Sequence, residues 1–301
     1  MSARLVYATR WEHAEGIWVV KLLLDGEPGE VALTKGKSIS FRLGKGRFCV
    51  GPSRISRVYS TTDSWKARIQ CPTSSLAKSG NQCRSCAAGD TSRTCARCTG
   101  VTCNAHPSLK EVCERNEAFV YLAVFGERVK AGVSQGRRVE KRWIEQGADA
   151  ARRVLVGNGR EVRIYEKMIQ GQLGALKSVK ADEKMVFVDP KKFEWGLRKL
   201  EANVEALYRI FPAAKHVNEA TTVLSPIYGL PETRIHPIEV KMRDNVALSG
   251  KILGAKGPIL FLEKKGIIYS VNLHALTGRK INEDLNGSCP SQSGLSAYLK
   301  R

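Results

Sequence analysis

The sequence predicts an α+β protein of several parts. Three observations carry this: strand-like segments at both ends of the chain, a dense run of cysteines, and a middle stretch where short apolar strands alternate with amphipathic helices. With 301 residues and 43% hydrophobic composition, the chain can bury two or three modest cores. The expected parts are a β-rich basic segment over 1–66, a zinc-binding module over 67–117, an α/β unit over 118–181, an amphipathic helix over 189–212 and a small β-barrel-like segment over 216–301.

The first strands are read at residues 16–25, 30–33 and 38–43, separated by the turn Gly26-Glu27-Pro28-Gly29. The cysteine segment follows. It holds seven of the nine cysteines between Cys71 and Cys113, and its centre reads Cys83-x-x-Cys86-x8-Cys95-x-x-Cys98. A C-x-x-C pair lets two thiolates of one turn face a single ion, and two pairs supply the four soft ligands of tetrahedral zinc. Cys71, Cys103, His106 and Cys113 make a second set of four. One or two structural zinc ions are therefore expected, and the count favours two. Closed sites of this kind leave no position for a reacting water and serve to hold a small module together. Cys49 and Cys289 lie apart and read as ordinary thiols.

Beyond the cysteines, strands are expected at 118–124 and 129–133, a helix at 135–146 stopped by Gly147, a strand at 154–156 and a helix over 160–173 with Val162, Tyr165, Ile169 and Leu173 on one face. This is a β-β-α-β-α order. Asp189-Pro190 then supplies a cap and first-turn proline for a longer helix, whose apolar stripe runs through Phe193, Leu197, Leu200, Val204, Leu207 and Phe211. The stripe is read as packing on the body, with self-association into a homodimer as its second reading. Strands return at 238–240, 246–253, 258–262 and 266–271, with glycines at 250, 254, 257 and 266 marking bends, which suggests a small barrel. Both ends are strand-rich, so they are candidates for one combined β module.

Charge narrows the partners. The chain carries 49 Lys+Arg against 29 Asp+Glu, a net +20, and residues 31–110 hold fourteen basic side chains against only Asp63 and Asp90. Such a field attracts polyanions by releasing their counterions. Lys45, Arg47, Arg54, Arg57 and Lys66 are interleaved with Phe41, Phe48, Tyr59 and Trp65, a mixture suited to phosphates and unpaired bases. Arg138, Arg142 and Gln146 recur at steps of four, and with Lys130 they form a second candidate phosphate-binding group. No apolar leader core follows Met1 and no long apolar run occurs, so a cytoplasmic protein with reduced thiols and no membrane contact is expected.

The cysteine segment together with Val120-Tyr121-Leu122-Ala123, Val129-Lys130-Ala131-Gly132-Val133 and Arg142-Trp143-Ile144-Glu145-Gln146-Gly147-Ala148 resembles an uncharacterised prokaryotic family known as a domain of unknown function. The β-β-α-β-α unit is also similar, more remotely, to the GIY-YIG nucleases. That resemblance places Tyr121 at the first tyrosine, Gly132 at the glycine of the second triplet, Arg142 on the first helix and Glu166 on the second. It implies a phenol near the attacking water, a guanidinium for phosphorane charge and a carboxylate for Mg²⁺. Lys130 stands in place of the second tyrosine, and Ala131 in place of the usual branched residue.

Three classes of function compete. A zinc-containing protein that binds structured RNA, a transfer RNA or the ribosome, accounts for the basic segment, the zinc module and the β modules together. An Mg²⁺-dependent nuclease or RNA-modifying enzyme accounts for Tyr121, Arg142 and Glu166. A DNA-binding regulator would need a recognition helix, and no helix-turn-helix spacing is evident. RNA binding without catalysis leads.

Overall fold

The computed structural model describes residues 3–54, 66–184, 189–230 and 237–283. Arg57, Tyr59, Trp65 and Cys289 lie outside them.

The N-terminal strands are β1 (Arg4–Ala14), β2 (Ile17–Leu24), β3 (Glu30–Leu33) and β4 (Ser38–Leu43). β1 and β2 are joined by a two-residue turn in which Glu15 and Gly16 both take positive φ, the backbone that matches strand twist in a tight hairpin. The cysteine segment holds only short helices, α1 (Arg84–Ala88), α2 (Ser92–Ala96) and α3 (Pro107–Arg115). The middle of the chain forms β5 (Glu117–Phe125), β6 (Arg128–Gln135), α4 (Val139–Gln146), β7 (Ala150–Asn158), α5 (Glu161–Gln172), α6 (Ala181–Lys184) and α7 (Pro190–Ile210), followed by the two-residue strands β8 (Lys215–His216) and β9 (Thr222–Val223). The last strands are β10 (Ile238–Glu239), β11 (Ala247–Lys256), β12 (Ile259–Lys264), β13 (Ile267–Asn272) and β14 (Lys280–Glu283).

Two sheets organise these elements. The larger has nine strands in the order β10-β13-β12-β11-β4-β14-β1-β2-β3. β4 lies between β11 and β14, and β14 between β4 and β1, so the two ends of the chain are interleaved in one sheet. The expected small barrel is not formed: the sheet is open among the described residues, with β10 and β3 at its edges. Closure depends on pairing the first and last strands, which glycine punctuation does not encode. The smaller sheet runs β6-β5-β7-β8, with β9 also paired to β7, and all its pairings are antiparallel.

β5 is buried on both faces, which explains its uninterrupted apolar run. Tyr121, Ala123 and Phe125 face a core shared with the large sheet and with Val139, Trp143 and Ile144 of α4. Val120, Leu122 and Val124 face the opposite way, against Val162 and Ile169 of α5 and Leu200, Val204 and Leu207 of α7. The stripe on α7 is therefore core, while Trp195 on the same helix points outward. The cap is as the sequence implies: Asp189 accepts a hydrogen bond from the Lys191 N–H, and Pro190 opens the helix.

The string Arg142 to Ala148 gains a physical meaning here. Trp143 and Ile144 fill the core between the sheets, and Gly147 ends α4 in the left-handed conformation at φ 76°. Gly147 also meets Gly257 backbone to backbone, since a Cβ on Gly257 would lie 2.6 Å from the Gly147 nitrogen. The Ala148 carbonyl accepts the Tyr228 hydroxyl at 2.6 Å. No helix among the described residues is long and apolar enough to cross a membrane.

Candidate metal centre and cationic cluster

Cys49, Cys71, Cys83 and Cys86 have their sulfurs within 4.8 Å of one another. Local pairing assembles them. Phe48 and Leu76 form an antiparallel bridge, the Cys49 N–H donates to the Ser75 carbonyl at 2.8 Å, and the Val50 N–H donates to the Asn81 carbonyl at 2.9 Å. These bonds lay the loop after β4 alongside the turn at Cys71 and the start of α1, where Cys83 and Cys86 stand one helical turn apart. Gly51 is required at its position. It has φ 78°, and an added Cβ would lie 1.8 Å from the Ile69 carbonyl oxygen. Its N–H donates to the Cys49 sulfur at 3.4 Å, a bond that favours the thiolate.

Burial pushes Cys49 and Cys86 up, as expected for thiols out of water. Cys71 is also pushed up by burial, but the Thr73 hydroxyl and the backbone N–H groups of Ser75 and Thr73 outweigh it and bring it down to about 5. The Cys86 backbone N–H lowers Cys83. Four thiols in so small a volume repel as thiolates, and a soft dication removes that repulsion. The donor set fits zinc: four sulfurs, one tight cluster, three of the four cysteines buried. Four cysteines would leave no open ligand position, so an ion held there would contribute to folding.

This grouping corrects the sequence-based one. The spacing groups Cys83 and Cys86 with Cys95 and Cys98, and Cys71 with Cys103, His106 and Cys113, and leaves Cys49 out. Chain proximity misled, because the bridge between Phe48 and Leu76 is tertiary. The missed signal was Cys49-Val50-Gly51, a cysteine followed two residues on by a glycine whose N–H can turn back to sulfur. Cys95, Cys98, Cys103 and Cys113 line a different pocket, together with Arg163. Burial pushes Cys95 and Cys113 up, with Arg163 acting against it. His106 is exposed at the start of α3.

The predicted phosphate-binding and catalytic residues divide sharply. Lys45, Arg54 and Lys66 are exposed. Arg47 is committed internally, donating to Asn81 Oδ1 at 2.8 Å and to the Ala275 carbonyl at 3.1 Å. Phe41 is core, and Phe48 lies under the Lys280 ammonium. Arg138 pairs with Glu145 at 2.8 Å. Gln146 is not the surface contact expected from its helical step but an interior bridge. It accepts from Lys130 Nζ at 2.6 Å and donates to the Tyr121 hydroxyl at 2.7 Å. The helix turns it inward because α4 is wedged between the two sheets.

Around this bridge the structure gathers most of the other predicted residues. Tyr121 on β5 sits directly opposite Gly132 on β6, and a Cβ on Gly132 would lie 2.4 Å from the phenol oxygen. Burial raises the Tyr121 hydroxyl, with Arg142 and Gln146 pulling down and the Glu166 charge pushing up. Burial raises Glu166 too, against the pull of Arg163, Lys130, Lys177 and Arg142. Lys130 is brought down to about 8 by burial first and then by Arg142 and Lys184. Lys184, on α6, is brought down to about 8 by burial, Arg142 and Lys256. Sequence reasoning did not single out Lys184, whose place in the cluster comes from the chain returning after α5.

A protein-family model described as protein of unknown function (DUF2797) matches residues 36–281. No curated protein and no solved structure matches the chain.

Proposed function

The chain belongs to the DUF2797 family of proteins of unknown function, and for this member we propose a zinc-stabilised nucleic-acid-binding role, with structured RNA such as a transfer RNA or ribosomal RNA as the partner. One observation carries the reading. Lys130 and Lys184 are each brought down to about 8, first by burial and then by the Arg142 charge they share, with Glu166 the carboxylate that acts on Lys130 and Glu183 the one that acts on Lys184. Cations so arranged are relieved by a polyanion, whose phosphates supply the missing negative charge. Arg142 is the most accessible of the three, with 44% of its side chain exposed, and suits a first contact. The net +20 adds a long-range attraction of the same sign.

The test is binding of structured RNA over a range of salt. Wild type is expected to show affinity that falls steeply with salt, and Arg142→Ala combined with Lys184→Ala is expected to weaken binding and reduce the slope by roughly one per lost contact. Binding unchanged in that variant, or absent in wild type at low salt, removes the proposal. Sequencing the nucleic acid retained through a low-salt purification identifies the RNA class.

A second reading, an Mg²⁺-dependent phosphodiesterase of GIY-YIG type, is favoured by Tyr121, packed against Gly132, feeling the charges of both Arg142 and Glu166. Glu166 would hold the ion, and the ion would supply Lewis acidity at phosphate. Binding remains preferred because the Tyr121 hydroxyl is wholly buried and tied to Gln146, and Lys130 occupies the place of the second tyrosine. Cleavage of RNA in Mg²⁺ or Mn²⁺ that is lost in Glu166→Gln, with affinity retained, reverses that preference.

A further inference from the structure

We propose that Cys95, Cys98, Cys103 and Cys113 form a second metal site, a four-thiolate site for zinc, separate from the one at Cys49, Cys71, Cys83 and Cys86. The four cysteines line one pocket, between α2, α3 and the start of α5. Its core duplicates the first centre. In Cys98-Thr99-Gly100, as in Cys49-Val50-Gly51, the glycine has positive φ, 82° and 78° respectively, and its N–H donates to the cysteine sulfur at 3.4 Å. That hook aims a backbone dipole at a thiolate.

The surroundings suit an anionic metal–thiolate group. Arg163 Nη1 donates to the Cys98 carbonyl at 3.0 Å, Arg160 Nε donates to the Gly100 carbonyl at 2.9 Å, and the Arg163 side chain lines the pocket itself. A dication with four thiolates keeps a net charge of −2, half of which the Arg163 charge offsets. Room is also reserved for the ligands. A Cβ on Gly159 would lie 2.5 Å from the Cys113 sulfur, and the Gly159 N–H donates to the Cys113 carbonyl at 2.9 Å. The sulfurs stand wider apart than in the first centre, and all four residues are partly exposed, which leaves their side chains room to turn toward an ion. Filled, the site fastens the cysteine segment to α5 and the turn after β7. The first centre instead fastens its own loops together.

The experiment is metal analysis of the full chain purified without added metal, combined with thiol labelling of the native protein and mass-spectrometric location of the labels. Two zinc ions per chain are expected, with Cys95, Cys98, Cys103 and Cys113 protected until a chelator is added. Cys98→Ser and Cys103→Ser should each hold one ion, and His106→Ala should hold two. Gly159→Ala keeps all four cysteines in the chain but crowds the Cys113 sulfur, and should release one ion to a chelator faster than wild type does. One ion per chain in wild type, immediate labelling of these four cysteines, an iron–sulfur chromophore, or loss of an ion in His106→Ala would each overturn the assignment. Labelling of wild type needs no variant to fold, and none of these readouts involves RNA.

Discussion

Lys256 and Asp149 form an ion pair at 2.5 Å, with the carboxylate side chain wholly buried and the lysine 5% exposed. Lys256 closes β11 of the large sheet, and Asp149 leads into β7 of the small one, so the pair is a rivet between the two halves. The Asp149 carboxylate also accepts the Gly126 N–H at 2.8 Å. Removing one partner of such a pair strands the other charge out of water, which costs about 3–5 kcal/mol. Lys256→Met should therefore lower the unfolding free energy in urea by that amount. Lys256→Met with Asp149→Asn should cost much less than the sum of the two single changes, because no net charge is left buried.

Cys49→Ser should remove one zinc ion, although Cys49 lies outside the dense cysteine run. The same loss is expected for Cys86→Ser. In both, amide exchange should rise in the loop after β4 and around Cys83, where the bonds from Cys49 and Val50 depend on the cluster. Full metal content in Cys49→Ser would show that the four sulfurs do not share an ion.

Gly132→Ala should disturb Tyr121 without touching a charged group. The new methyl would overlap the phenol oxygen, so the ring must shift and its bond to Gln146 must break or bend. Overpacking of this kind costs about 1–3 kcal/mol in thermal or urea unfolding. Unchanged stability would mean that the β5–β6 pairing has more slack than its register shows.

How much of this was legible in the chain follows from the range of each interaction. The run Ala118 to Val124 was readable because both faces of β5 are buried, and α7 because Asp189 and Pro190 fix its start locally. β1 was missed: Arg10, Glu12 and His13 interrupt its pattern, and Arg10 and Glu12 are accommodated by ion pairs with Glu30 on β3 and Lys21 on β2. The interleaving of β4, β11 and β14 is a long-range choice that no local signal carries. The same holds for the metal centre. The cysteines from Cys71 to Cys113 read as candidate ligands and Cys49 does not, whereas which of them meet in the fold follows from the bridge between Phe48 and Leu76 and not from spacing. Tyr121, Arg142 and Glu166 come from a resemblance, and in the fold the charges of Arg142 and Glu166 both reach the Tyr121 hydroxyl.

The cationic cluster gives a pH signature. Lys130 and Lys184 titrate at about 8 in the folded protein, below their ordinary value of 10.5. The fold thus penalises their charged forms. That penalty is fully present below about pH 8, and it is relieved as pH rises towards 10.5, where the unfolded chain holds more protons than the native one, so these two residues add stability with rising pH in that window. Binding of a polyanion has the opposite sense, since it stabilises the ammonium forms. RNA affinity should therefore fall as pH rises through about 8, with protons taken up on binding, measurable by calorimetry in buffers of different ionisation enthalpy. Arg142 is the charged neighbour that depresses both lysines, so Arg142→Ala should weaken binding overall and yet move the fall in affinity to higher pH. A binding profile flat through pH 8, or one that Arg142→Ala does not shift, would place the RNA contact elsewhere on the basic surface.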